Sequence, residues 1–285
     1  MSEHPCSSPQ QPLVSVVMGV WNPHPKHFPE VVESILAQTY QNLQIILIED
    51  PSERDGREMV GHLKDDRLTH IRNEQRTSLP DQLNKGLGLA TADLIARGDA
   101  DDIWEPHRVA TQVQCFDNDP DLVVLGSTLN IIDDNGTHLG YRDYPRKHED
   151  IVRALRRYCP IAQPVVMFRR EAVMKLGGYH KDFYVEDYDL WCRLAKAGAK
   201  FENYPEPLVR YRVHPEGMKS TKLKKQLGET IRMKEAHFRG QMVAADHMRL
   251  LAERALMWMP SKFVLWLFGQ MTFSKHLPSS NQAGP

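Results

Sequence analysis

The chain has 285 residues, enough for one large α/β domain or two smaller ones, and either would bury a full core. Its 36 basic and 37 acidic residues nearly cancel, so no overall field recruits nucleic acid. Four cysteines at 6, 115, 159 and 192 have no CxxC spacing and read as free thiols of a reducing compartment rather than a zinc site. The first dozen residues are polar and rich in Pro and Ser, without a basic or apolar signal segment, which leads us to expect a cytoplasmic protein.

Residues 13–18 form a nearly continuous apolar run, as expected of a strand buried on both faces. The loop Trp21-Asn22-Pro23-His24-Pro25 leads to a helix opened by Pro29, with Val32, Ile35, Leu36 and Tyr40 inward. Residues 43–48 predict a second buried strand that ends in Glu49-Asp50-Pro51-Ser52, and 68–72 a weaker third. Residues 79–89 read as a helix and 94–97 as a strand. This alternation predicts right-handed crossovers and a largely parallel sheet.

That last strand runs into Asp99-Ala100-Asp101-Asp102. Carboxylates where a buried strand ends stand at the carboxyl edge of the sheet, where open α/β folds bind ligands. Crowded there, they repel one another unless a hard cation sits between them, and Mg²⁺ or Mn²⁺ with substrate phosphates suits such an oxygen-rich site. On four residues alone, an acidic surface turn explains them equally well.

Ile103-Trp104-Glu105-Pro106 is expected to open a helix with Val109, Val113 and Phe116 inward. Residues 122–125 predict a strand. Residues 130–132 and 137–141 flank Asp133-Asp134-Asn135-Gly136, whose Asn-Gly step signals a hairpin. Residues 149–157 read as a helix, 165–168 as a strand and Gly177-Gly178-Tyr179 as a tight turn. Glu186-Asp187-Tyr188-Asp189 begins a further helix, closed by Gly198. Residues 221–237 are charged and helical, with Leu223, Leu227 and Ile231 on one stripe. Residues 255–273 are apolar but interrupted at 260–262, and the unbroken run 263–268 falls far short of the roughly 20 residues that span a bilayer. With Trp258, Trp266, Lys262 and Lys275 at its margins, this segment suits either a membrane interface or a helix packed on protein.

The ordered set Ser15-Val16-Val17-Met18-Gly19-Val20-Trp21-Asn22, Glu33-Ser34-Ile35-Leu36-Ala37-Gln38-Thr39-Tyr40, Glu49-Asp50-Pro51-Ser52, Leu83-Asn84-Lys85-Gly86-Leu87, the acidic tetrad and Glu186-Asp187-Tyr188-Asp189-Leu190-Trp191 resembles the inverting family 2 glycosyltransferases of the GT-A fold. The resemblance covers roughly residues 12–215. It implies a GT-A domain at 12–220, and the sequence pattern leads us to expect an N-terminal 1–11 segment without order, a helical extension at 221–277 that could meet a membrane surface, and a 278–285 tail without order. The resemblance also implies a nucleotide-sugar donor, UDP- or dTDP-linked, a saccharide or lipid-linked acceptor, and Mg²⁺ or Mn²⁺.

The resemblance assigns Val20, Trp21, Asn22, Asp50, Asn84 and Asp99 to the donor, with Asp50 on the base and Asp99 on the ribose. Pro51 departs from the family's more usual glycine. Trp21 could instead be a core aromatic under its loop. Asp101 and His214 match the metal ligands, and Asp187 the base that deprotonates the acceptor. Its helix N-terminus leads us to expect an ionised Asp187 at neutral pH, although Glu186 and Asp187 could merely cap the helix. Glu186 and Gln163 are assigned to the acceptor side. The rivals are a nucleotide-sugar-binding module without catalysis and a sugar-1-phosphate nucleotidyltransferase. The latter usually needs a Gly-rich basic loop after the first strand, which Gly19-Val20-Trp21-Asn22 does not provide.

Overall fold

The computed structural model describes residues 11–213, 220–260 and 263–264. His214, the first ten residues, Lys262, residues 265–268 with Trp266, Lys275 and the 278–285 tail lie outside the described residues.

Strands β1 (Val14–Trp21), β2 (Leu43–Asp50), β3 (Leu68–Arg72) and β4 (Leu94–Arg97) pair in parallel in the order β3-β2-β1-β4. Helices α1 (His27–Leu36), α2 (Gly56–Val60) and α3 (Leu79–Leu89) connect them. Alternation along β1 explains the continuous apolar run: Val14, Val16, Met18 and Val20 join the core containing Phe28, Val32 and Ile35 of α1. Val17 joins the opposite core, with Leu83 and Leu87 of α3. Each such side chain contributes roughly 1.5–3 kcal/mol when fully buried.

Beyond β4 the sheet becomes mixed. The chain continues through β5 (Ile103–Trp104), α4 (Arg108–Asn118), β6 (Leu122–Ile132), β7 (His138–Arg142), α5 (His148–Ala154) and a 3-10 turn at Gln163–Val165. Next come β8 (Met167–Arg169), α6 (Arg170–Lys175), α7 (Glu186–Lys196), β9 (Lys200–Arg212), α8 (Ser220–Phe238) and α9 (Ala244–Trp258). Among the described residues the full order is β3-β2-β1-β4-β8-β6-β9-β5, with β7 hairpinned onto β6. The expected largely parallel sheet therefore holds only for the first half. β8 runs antiparallel to both β4 and β6, and an apolar run carries no sign of its direction. Because β8 reverses twice, β6 points with β4, and β9 lies parallel to β6. Six strands, β1, β2, β3, β4, β6 and β9, thus end at one edge.

Ile103 and Trp104 do not open a helix. They form β5 by pairing with Arg210 and Val209 of β9, and the helix begins at Arg108. Helix α9 ends at Trp258, ahead of Pro260, and so takes in the start of the apolar segment at 255–273; of the remainder, 263–264 are described and are helical. Helix α9 packs on α8 through Leu227, Ile231 and Leu250, with Lys234 Nζ 2.8 Å from Glu253. Met248, Leu251 and Trp258 remain exposed, and their spacing puts them on one face. Among the described residues no helix is long and apolar enough to cross a membrane.

One close approach sets where the acidic tetrad begins. A Cβ on Gly98 would lie 2.8 Å from Cζ2 of Trp104, a ring that is fully buried. Trp104 in turn carries the Arg108 guanidinium on its face at 3.6 Å. Gly98→Ala should therefore displace the ring and lower unfolding stability by about 1–3 kcal/mol, as overpacking in a filled core does. Chemical denaturation measures this, and an unchanged midpoint would show that the ring can yield.

Candidate active site at the carboxyl edge of the sheet

Trp21 stands in register with Asp50 where β1 and β2 end, so the Trp21-Asn22 loop and the Glu49-Asp50 pair are neighbours. Their carboxylates brace different loops. Glu49, fully buried, accepts the Gly56 N–H at 2.9 Å and lies 2.8 Å from His70 Nε2. Asp50 accepts the Thr77 N–H and the Asn73 amide, each at 2.7 Å, and the Thr77 hydroxyl at 3.0 Å. Asp50 thus fixes the 73–77 loop beside the edge. The Val20 carbonyl accepts a hydrogen bond from Gln82 at 3.1 Å. Asn22 has φ 50, the only positive φ outside glycine among the described residues, a strained turn that lifts the loop away from the strand. Trp21 is not a core aromatic. It is half exposed, with the Arg76 guanidinium 3.9 Å over its ring.

The tetrad is framed by arginines. Arg97, the last residue of β4 and 1% exposed, donates to Asp99. Arg108 lies beneath it, donating to the Arg97 carbonyl at 2.6 Å and the Pro164 carbonyl at 3.1 Å. From β9, Arg212 gives its N–H to Asp102 at 2.8 Å, its Nε to the Asp101 carbonyl at 3.1 Å and a third group to Glu30 of α1 at 3.1 Å. Asp102 is fully buried with one carboxylate oxygen, Oδ2, unpartnered. Burial, then the charges of Asp101 and Asp99, push its carboxyl well above the ordinary range.

The start of α7 meets this group from the other side. Arg97 acts electrostatically on both Glu186 and Asp187. Burial and then the Asp187 charge push the Glu186 carboxyl up to about 7. Burial also raises Asp187, opposed by the Tyr188 N–H and by Arg97. The expected ionised Asp187 considered only the helix end, and the desolvation of the site works against it. Val185 makes no side-chain cap, so the acids serve the first turn from within it. Cys159 Sγ lies 3.9 Å from Asp187 Oδ2. Gln163 is buried beside Tyr179, with its Nε2 unpartnered.

Asn84 has a different task from the donor contact expected of it. Its amide donates to the Tyr179 carbonyl at 2.7 Å and accepts the Tyr179 N–H at 2.8 Å. Both ends are committed to the Gly177-Gly178-Tyr179 turn, where Gly178 adopts φ +74 against the Asn84 side chain. The positioning arginines Arg97 and Arg212 escaped the sequence pattern. The signal for Arg97 was a lone charge closing the buried strand Leu94-Ile95-Ala96. Among the described residues no three His, Cys, Asp or Glu side chains converge as a self-sufficient metal cage. The tetrad nonetheless offers hard carboxylate oxygens, one of them buried and orphaned, a donor set that fits Mg²⁺ or Mn²⁺ completed by phosphate oxygens.

The family model described as Glycosyl transferase family 2 matches residues 15–177, and that of Glycosyl transferase family group 2 matches residues 99–277. An uncharacterised glycosyltransferase of Methanocaldococcus jannaschii is 31% identical over 220 residues, covering 76% of each chain. The Escherichia coli UDP-Glc:alpha-D-GlcNAc-diphosphoundecaprenol beta-1,3-glucosyltransferase WfaP is 28% identical over 218 residues, covering 76% of this chain and 84% of its own. Among solved structures, the mannosyltransferase PcManGT of Pyrobaculum calidifontis, in complex with GDP-Man and Mn²⁺, superposes with a TM-score of 0.64 at 17% identity. The match covers 92% of this chain and 74% of that one. The fold is that of the GT-A enzymes, an α/β sheet flanked by helices. The chain belongs to glycosyltransferase family 2 and is a glycosyltransferase.

The raised Glu186 carboxyl gives a pH signature. Its folded pKa, about 7, exceeds the ordinary 4.5, so the native state holds the proton more tightly. The stability this brings is present below pH 4.5 and is lost as pH rises through 7. Glu186→Gln should therefore stabilise the protein above pH 8 by about 1–3 kcal/mol and have little effect below pH 4.5. Melting curves of both proteins across this range check it, and a pH-independent difference would remove the burial cost assigned to Glu186.

Proposed function

We propose that the chain is an inverting glycosyltransferase that moves a sugar from a nucleoside-diphosphate donor to a hydroxyl of a lipid-linked saccharide, a step in building a cell-surface polysaccharide or glycolipid. The observation that supports it best is the placement of Arg97 between the acidic tetrad and the Glu186-Asp187 helix start, because it puts a diphosphate-binding group and a base on either side of one crevice.

Asp187 accepts the proton of the acceptor hydroxyl while that oxygen forms its bond to the anomeric carbon from the face opposite the diphosphate. The bond from the anomeric carbon to the diphosphate oxygen breaks, and its electron pair leaves with the nucleoside diphosphate. Mg²⁺ or Mn²⁺, held by Asp101 with Asp99 nearby and His214 as a further candidate ligand, would neutralise the charge growing on that leaving group. Trp21, Asn22 and Asp50 line the nucleoside end, and Arg97 holds Asp99 toward the ribose. Glu186 and Gln163 border the acceptor. A uridine or thymidine diphosphate donor matches the family resemblance, and the acceptor class follows WfaP, which acts on a diphosphoundecaprenol-linked sugar.

Asp187→Asn should lower transfer at least ~100-fold while the KM for donor changes little, since only the transition state loses its base. Steady-state kinetics decide, and near-normal turnover would move the base elsewhere. Asp101→Ala, or excess EDTA on the intact enzyme, should abolish turnover without lowering the melting temperature, and full activity in EDTA would remove the metal. An acceptor held in a bilayer would bring Met248, Leu251 and Trp258 of α9 to the membrane interface, a helix lying on the surface rather than crossing it. The full chain should then float with lipid vesicles, and its failure to do so would leave α9 a protein-facing helix.

A further inference from the structure

The acceptor side of Asp187 carries cations whose role the transfer step leaves open. Arg142, the last residue of β7, is partly buried and lies over the Tyr144 ring at 5.2 Å. It makes no ion pair among the described residues. Its charge acts on Tyr158 and Cys159, and Cys159 touches Asp187. It also acts on Tyr211, which feels Asp102, Asp99 and Asp101. The Asn203 amide donates to the Pro145 carbonyl at 2.6 Å and to the Pro160 carbonyl at 2.9 Å, so the stretch after β7 lies beside the segment that bears Tyr158 and Cys159. Across the exposed Tyr158 ring lies Arg249 of α9, 5.8 Å from the ring centroid and bound to Glu253 at 3.1 Å. Arg157 stands behind, tied to Asp246 at 3.0 Å.

We propose that Arg142, over Tyr144, and Arg249, over Tyr158, form an acceptor subsite that binds the diphosphate adjoining the sugar to be extended. This rests on the lipid-linked acceptor proposed above and names the part of it that is recognised. An acidic mouth built from Glu186, Asp187 and the tetrad repels a polyanionic acceptor, so its diphosphate needs cations of its own near the base. A partly buried guanidinium without a carboxylate forfeits hydration that a phosphate would replace, and its planar fork suits two phosphate oxygens at once. Arg249 is itself half-exposed, and its partner Glu253 is also held by Lys234 at 2.8 Å, so Arg249 can turn toward an anion without leaving that carboxylate unpaired. The exposed Tyr158 ring offers a flat face to the sugar or the first isoprene unit. The donor's diphosphate is served separately, by the tetrad.

Two soluble acceptors test the subsite: a short-chain alkyl diphosphate carrying N-acetylglucosamine, and the alkyl glycoside of the same sugar without the diphosphate. The full chain should prefer the first, by kcat/KM, and Arg142→Ala and Arg249→Ala should each lower that preference at least ~10-fold, the loss expected for one charge-assisted phosphate contact. Arg142→Lys should recover part of it. No preference in the wild type, or one unchanged in both variants, would overturn the subsite and leave the transferase intact. A loss of nucleoside-diphosphate binding in Arg142→Ala, with the acceptor preference kept, would assign Arg142 to the donor instead. Vesicles of phosphatidylglycerol against phosphatidylcholine separate a lipid headgroup: a charge-dependent binding lost in the variants without change in acceptor preference would also overturn the subsite. Should neither acceptor be glycosylated with any uridine, thymidine or guanosine diphosphate sugar, the proposed reaction fails. Calorimetric binding of the diphosphate lipid to wild type and Arg142→Ala would still decide the subsite.

Discussion

A guanidinium sealed from water must keep its proton and must be balanced by carboxylates, and in this protein that constraint falls on Arg97. Its countercharges come from two places distant in sequence, the turn after β4 and the first turn of α7. Neither acidic group is tolerable alone in so dry a setting, and both become tolerable around one shared cation. Arg108 beneath and Arg212 outside then hold the same turn through the Arg97 and Asp101 carbonyls and the Asp102 carboxylate, so that three arginines support one acidic edge.

Much of the first half was legible because each element is decided locally. The bounds expected for the 68–72 strand and the 79–89 helix coincide with β3 and α3, where alternation and a Ser78 cap followed by Pro80 leave little choice. The Asn-Gly step likewise marks the β6–β7 turn. The second half depends on partners. β9 contains Pro205 and Pro207, which argue against a strand, and it forms only because β6 accommodates a shift of register near Ser127 and Thr128. β5 is two residues long and exists only through β9.

The site divides in the same way. Motif spacing identified the acids, since carboxylates after a strand or at a helix start are conspicuous in sequence. It did not show that a tight turn takes both ends of the Asn84 amide, and it did not reveal the cations that make the acids compatible. Whether an ionisable group is charged depends on how much water the fold removes, and Asp187 shows that a helix end alone does not decide it.

The first turn of α7 carries a further tie. Asp189, two residues beyond Asp187, is buried and receives Arg193 at 2.7 Å and His237 of α8 at 2.8 Å; although burial opposes it, these two hold its carboxyl below the ordinary range. The helix that bears the proposed base is thus fastened to the C-terminal extension by a residue pair that no boundary between them respects. Exchanging α8 and α9 for those of another family member would withdraw the histidine along with the extension. The two regions are not modular: a functional chimera would need the Asp189 and His237 pair to be inherited together.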